Sequence, residues 1–123
     1  MTNSPPPVKV YGIPNCDTVK KVLVWLKKNN IPFEFHDYKK EGISREKLQQ
    51  WCALQPLDII LNKKSTAWKE LSAAQQEKAA TQAGAIKLMQ EYNNLVKRPV
   101  IEISGTILIG FNEASYKNHF KIL

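Results

Sequence analysis

The chain has 123 residues, of which 43% are hydrophobic and 24% charged, and carries a formal net charge of +7. That length and balance suit one globular domain with its own core and exclude a disordered polypeptide. Sixteen of the 18 basic residues are lysines scattered along the chain, which reads as a solvated surface rather than a nucleic-acid footprint.

Residues 1–7, Met1-Thr2-Asn3-Ser4-Pro5-Pro6-Pro7, lack the basic start and apolar run of a signal peptide and are expected to be a short disordered tail before a domain over 8–123. No apolar stretch approaches the roughly 20 residues needed to span a bilayer, so no membrane partner is expected. Val8 to Gly12 alternates as a strand and stops at a turn, Gly12-Ile13-Pro14-Asn15. From Asp17, the apolar residues Val19, Val22, Leu23 and Leu26 follow a helical period with lysines mainly off that stripe. Phe33 to Tyr38 alternates aromatic and polar residues as a second strand. These three elements make a β-α-β unit with parallel strands. Ser44 caps a helix with Leu48, Trp51 and Cys52 on one face, Pro56 stops it, and Leu57 to Leu61 fits no one element. Ser72 with Gln75 is a capping-box signal, and Ala85, Leu88, Met89 and Tyr92 form another helical stripe. Pro99 then opens a hairpin, Val100 to Ile103 and Thr106 to Gly110 around Ser104-Gly105, and Asn112 caps a last helix with Tyr116, Phe120 and Leu123 on one face. The order β-α-β, helices, β-β-α predicts a mixed four-stranded sheet flanked by helices.

Two cysteines 36 positions apart are neither a disulfide framework nor a zinc pair, so a reducing compartment, the cytoplasm, fits best. Cys16 stands between the first strand and the start of the first helix. Unpaired N–H groups and the helix dipole favour an anion there, and such positions lower cysteine pKa values. Position alone leaves open a cysteine that only fills space or caps the helix. Cys52, beside Leu48 and Trp51, reads as an inert buried thiol. His36 and His119 lack the spacing of a metal pair, and Trp25, Trp51 and Trp68 read as packing residues. Arg98, one of two arginines, precedes Pro99. It is either an exposed loop residue or a bidentate holder of an oxyanion or carboxylate, and a proline there leaves the preceding backbone open to a ligand.

Three blocks, Tyr11-Gly12-Ile13-Pro14-Asn15-Cys16-Asp17-Thr18, Leu61-Asn62-Lys63-Lys64, and Lys97-Arg98-Pro99-Val100 with Ile109-Gly110-Phe111-Asn112-Glu113, together resemble the arsenate reductase-like (ArsC/Spx) family, closest to its YffB-type branch. The likeness includes Phe35-His36-Asp37-Tyr38-Lys39-Lys40 and runs from about Val8 to the C-terminus. It implies a thioredoxin-like fold with a helical insertion at about 44–95, a nucleophilic cysteine at Cys16 and a cis-proline at Pro99. Arsenate reductases of the family form a thiol-arsenate adduct that glutathione and glutaredoxin resolve, and Arg98 resembles one of the arginines that hold the oxyanion. Where they carry two more, this chain has Asn62 and Gly110. Lys63 supplies charge near the first of these but lacks the planar fork of arginine.

The resemblance therefore implies a glutathione-dependent thiol reductase working through one cysteine, with Arg98, Pro99, Lys63 and Asn15 at the substrate, no bound cofactor, and glutathione as reducing cosubstrate. Glutathionylated or oxidised substrates, and glutaredoxin, are the implied partners of a monomer. The alternatives are an arsenate reductase proper, a regulator of the Spx type that binds RNA polymerase, or a fold relic without turnover. Val19 stands where the second cysteine of a Spx-type Cys-x-x-Cys pair would be, which argues against the same disulfide switch.

Overall fold

The structure, a computed structural model, describes residues 8–121. The tail expected over 1–7 and the placement of Leu123 on the last helix lie outside them.

Alternation at Val8 and Val10 sends their side chains to one face of strand β1 (Val8–Gly12), while Lys9 and Tyr11 take the other. The polypeptide then turns into helix α1 (Asp17–Lys28) and returns as β2 (Phe33–Asp37), which lies parallel to β1 with Val10 opposite Phe35. α1 buries Val19, Val22, Trp25 and Leu26 and ends with Lys27 and Lys28 in its last turn, where cations complement the helix dipole. A run of helices follows: α2 (Tyr38–Glu41), α3 (Arg45–Leu54), α4 (Leu57–Ile60), α5 (Thr66–Lys69), α6 (Ala73–Glu77) and α7 (Gln82–Glu91). The hairpin β3 (Val100–Ile103) and β4 (Thr106–Ile109) and the helix α8 (Glu113–Phe120) complete the domain. The sheet order is β2-β1-β3-β4, with β3 antiparallel to both neighbours. A β-α-β unit joined by helices to a β-β-α unit around such a mixed sheet is the expected thioredoxin-like arrangement.

Each sheet face carries its own core. Val8, Val10, Ile101 and Ile103 pack with Val22, Trp25 and Leu26 of α1 and Tyr116 of α8. Tyr11, Val100 and Ile107 pack on the opposite face with Leu48 and Trp51 of α3 and Ala85, Ile86, Leu88 and Met89 of α7. Fully burying side chains of this size contributes about 1.5–3 kcal/mol each, so both faces need their helical cover.

The caps behave as their chemistry requires. The Ser44 hydroxyl accepts from the Lys47 amide at 3.1 Å, and Ser72 and Gln75 exchange reciprocal bonds. Leu57 to Leu61 resolves into the single turn α4 followed by a bridge from Leu61 to Val96. Two expectations change. Tyr92 does not continue the buried stripe of α7: it is the C-cap, 40% exposed, because the chain leaves helical geometry there. Cys52 is half-buried, packed against the α3–α7 core from its edge. Gly84 has a packing reason, since a Cβ there would sit 1.9 Å from the Lys78 carbonyl oxygen.

Candidate active site

The turn after β1 delivers Cys16 to the N-cap of α1 with extended backbone, φ −134° and ψ 124°. Its carbonyl accepts the first helical bond, from Lys20 N–H at 2.9 Å, and its side chain makes no cap bond. The amides of Asp17, Thr18 and Val19 precede that first bond, so the thiol stands beside the positive end of a three-turn helix. Cys16 is half-buried, and Asn15 and Pro14 before it are exposed.

The second wall comes from the chain leading into β3. Leu61 and Val96 form an antiparallel bridge, with Asn62 N–H donating to Leu95 O at 2.7 Å and Lys97 N–H to Ile60 O at 2.8 Å. The next peptide, Arg98-Pro99, is cis, as the family resemblance implies. Pro99 is buried and its carbonyl accepts from Gly110 N–H at 2.9 Å.

Arg98 Nη1 donates to Asn94 O at 3.4 Å. Burial works against the Arg98 charge, but the nearby Tyr38 hydroxyl and Cys16 thiol favour that charge and hold its ionisation above the ordinary arginine range. Cys16 and Arg98, 82 positions apart, are thus brought together, and Tyr38 joins them. Burial drives the Tyr38 phenol upward, Arg98 opposes this, and Cys16 and Asp37 add to it.

Tyr38 is the member of this cluster that sequence reasoning assigned only to a strand. It opens α2 because the Asp37 carboxylate accepts from the amides of Lys39 and Lys40 at 3.0 and 3.3 Å. An Asp two residues before consecutive lysine amides is the available signal that the strand ends and turns inward there.

The other expected residues lie differently. Lys63 Nζ is 3.7 Å from Asp58 Oδ1 and 5.5 Å from the Trp68 ring centroid, so its charge is turned to its own loop. Asn62 Oδ1 accepts from Lys64 N–H at 3.1 Å and shapes that loop. Gly110 has φ +77°, a left-handed backbone that an arginine would adopt only under strain. His36 joins no metal site: its Nδ1 lies 3.1 Å from Glu41 Oε2 and its Nε2 2.8 Å from Gly42 O. Among the described residues no group of three or more His, Cys, Asp or Glu could hold a metal, and no helix is long and apolar enough to cross a membrane.

A cysteine at a helix N-terminus and an arginine before a cis-proline, on a mixed four-stranded sheet, give this domain the architecture of the ArsC class. The chain belongs to the ArsC family, whose pattern matches residues 11–119. A protein of Haemophilus influenzae is 41% identical over 113 residues, covering 92% of this chain and 98% of the relative. A solved structure described as a YFFB protein is 41% identical with a TM-score of 0.84, over 90% of this chain and 96% of that one. The global transcriptional regulator Spx of Streptococcus pneumoniae is 28% identical over 86% of this chain and 80% of its own length.

Proposed function

We propose that this protein is a glutathione-dependent thiol reductase of the cytoplasm, with Cys16 as its single nucleophile. The observation that supports this most is the half-buried Cys16 at the N-cap of α1, where its side chain makes no cap bond.

The Cys16 thiolate attacks the glutathione sulfur of a mixed disulfide. A new bond forms between Cys16 Sγ and that sulfur, the old disulfide bond breaks, and the substrate leaves as a thiolate that takes a proton from solvent. A second glutathione thiolate then attacks the same glutathione sulfur, breaks its bond to Cys16 Sγ, and leaves as glutathione disulfide. The net exchange returns the substrate sulfur from disulfide to thiol and takes the second glutathione from thiol to disulfide, while the first glutathione enters and leaves at the disulfide level. Val19 is fully buried where a vicinal resolving cysteine would stand, so the resolving thiol comes from outside. Arg98 holds a carboxylate of glutathione through its planar donors, and the backbone preceding Pro99 aligns the bound peptide.

The presence of one arginine where oxyanion-reducing relatives of the family use three favours this reading over arsenate reduction. The Spx relative favours a second reading, binding to RNA polymerase, which a polymerase pull-down tests directly. The enzyme reading is tested with a glutathionylated peptide, glutathione, glutathione reductase and NADPH. Wild type turns over and accumulates one glutathione on Cys16 when the second thiol is withheld, whereas Cys16→Ser does neither while keeping its fold. Turnover that survives Cys16→Ser would sink the proposal.

A further inference from the structure

A polar outer face suits a surface helix, but that of α1 has an apolar centre. Lys20, Lys21, Lys27 and Lys28 are exposed on it, and in their midst Val24 is 64% exposed, the most of any large apolar side chain among the described residues. Residues four apart on a helix lie above one another, so Lys20, Val24 and Lys28 form one row with Lys21 beside it. Val24 does not stand alone. With Trp25 and the half-buried Phe111, from the chain before α8, it floors a groove of about 390 Å³ whose sides are Lys20, Lys21 and Lys28.

The charges around this floor are unbalanced. Among the described residues, Lys20, Lys21, Lys27 and Lys28 take part in no ion pair, although Asp17 stands four positions before Lys21. Glu113 at the rim is engaged elsewhere, its Oε1 3.2 Å from Lys117 Nζ. Lysine stems lie along apolar surface while their ammonium groups stay in water, so the groove presents an apolar strip between point charges of one sign.

We propose that this groove docks an acidic protein segment, with Asp or Glu side chains on the lysines and one aliphatic side chain on Val24 and Phe111. Its ends, Lys20 and Lys28, are about 12 Å apart along the helix axis, the length of about four extended residues. Lys20 N–H donates to Cys16 O at 2.9 Å, so the groove opens one turn from the thiol. The segment therefore belongs to the substrate, about two to six positions from its reacting cysteine, a placement that rests on the thiol-reductase reading. Nucleic acid fits less well. Trp25 is 7% exposed and offers no face for a base to stack on, and lysine lacks the planar fork that grips a phosphate through two bonds. A lipid surface needs a whole apolar helix face, whereas Val24 is the exposed apolar residue of α1.

The test uses two glutathionylated peptides of equal length that carry one leucine and three glutamates, or one leucine and three glutamines, at about positions two to six on both sides of the cysteine. With glutathione at low ionic strength, wild type is expected to favour the glutamate peptide in kcat/KM by about three- to thirtyfold, the range for a few exposed ion pairs. The ratio cancels the reactivity of Cys16 and the charge of glutathione, which both peptides share. The triple variant Lys20→Gln, Lys21→Gln, Lys28→Gln should lower the preference below about twofold. The variant Lys69→Gln, Lys78→Gln, Lys87→Gln removes the same net charge from exposed lysines elsewhere and should keep it. Independently of turnover, a cysteine-free glutamate peptide should shift the amide NMR signals of residues 20–28 and 111 in wild type, and Val24→Ser should weaken its binding by about two- to fivefold.

Equal kcat/KM for the two peptides in wild type, or loss of the preference in both lysine variants, overturns the docking surface and leaves the thiol-reductase reading intact. Amide shifts confined to the groove with no turnover of either peptide support the surface and remove that reading instead. Shifts that lie elsewhere overturn the proposal. So does a stronger response of the same amides to a DNA oligonucleotide or to phosphatidylserine vesicles, which would assign the groove to nucleic acid or to a membrane.

Discussion

Glu102 of β3 accepts the indole N–H of Trp51 at 2.9 Å, fastening α3 to the centre of the sheet. The same carboxylate accepts from Lys47 Nζ at 2.9 Å and from the Tyr11 hydroxyl at 3.1 Å. One carboxylate thus satisfies three donors of the face opposite α1.

Burial alone would raise the Glu102 ionisation, but Lys47, Trp51 and Tyr11 outweigh it and hold the carboxyl below the ordinary glutamate range. The native carboxyl therefore binds its proton less readily than the unfolded one. Its contribution to stability is complete above the unfolded value, about 4.3, and is lost as pH falls through the lower native value. Glu102→Ala is expected to cost roughly 1–3 kcal/mol in urea unfolding at pH 7, because it leaves partly buried donors without an acceptor. Glu102→Gln should cost less, and its deficit should narrow progressively below pH 4. A deficit that does not vary with pH would show that the charge of Glu102 contributes nothing.

Gly84→Ala is expected to destabilise the protein by roughly 1–3 kcal/mol, the usual range for overpacking. The added Cβ would meet the Lys78 carbonyl oxygen at 1.9 Å, an atom of backbone that cannot rotate away. The urea midpoint should drop while the slope of the transition stays constant. A midpoint equal to wild type would mean that α7 can slide off residues 78–80 without loss.

Cys52 sits at the edge of the core around α3 and α7, and burial raises its thiol above the ordinary cysteine value. In native protein Cys16 is expected to be alkylated at least about tenfold faster than Cys52, with the difference vanishing in urea. Cys52→Ala should keep glutathione-dependent turnover. Loss of turnover in that variant would identify Cys52 as an internal resolving thiol and remove the need for an external one in the second step.

The legible part of this molecule was local. Alternation in Val8 to Gly12, the period of Val19, Val22 and Leu26, and the Ser72–Gln75 box depend on neighbours within a few positions, and the structure follows each of them. Cys16 was legible for the same reason, since strand, turn and helix start are consecutive. The place of Tyr38 was not, because its partner Val96 is 58 positions away and is held by the Leu61–Val96 bridge. Tyr92 was misplaced because a helical period says nothing about where the helix ends. The direction taken by Lys63 was likewise hidden, since Asp58 and Trp68 flank it in sequence but compete for it only once α4 and α5 are folded.

The Leu61–Val96 bridge also bears on how members of such a family can be recombined. The thiol is carried by the β-α-β unit, whereas the backbone that presents the arginine is paired with a strand-like residue of the inserted helices. A chimera that exchanges residues 44–95 would therefore import a new frame for Arg98 while leaving Cys16 native. On the reading proposed for Arg98, donor and host would share a fold and a cysteine yet differ in which anions they accept, so the insertion would be the natural unit by which selectivity diversifies with Cys16 undisturbed.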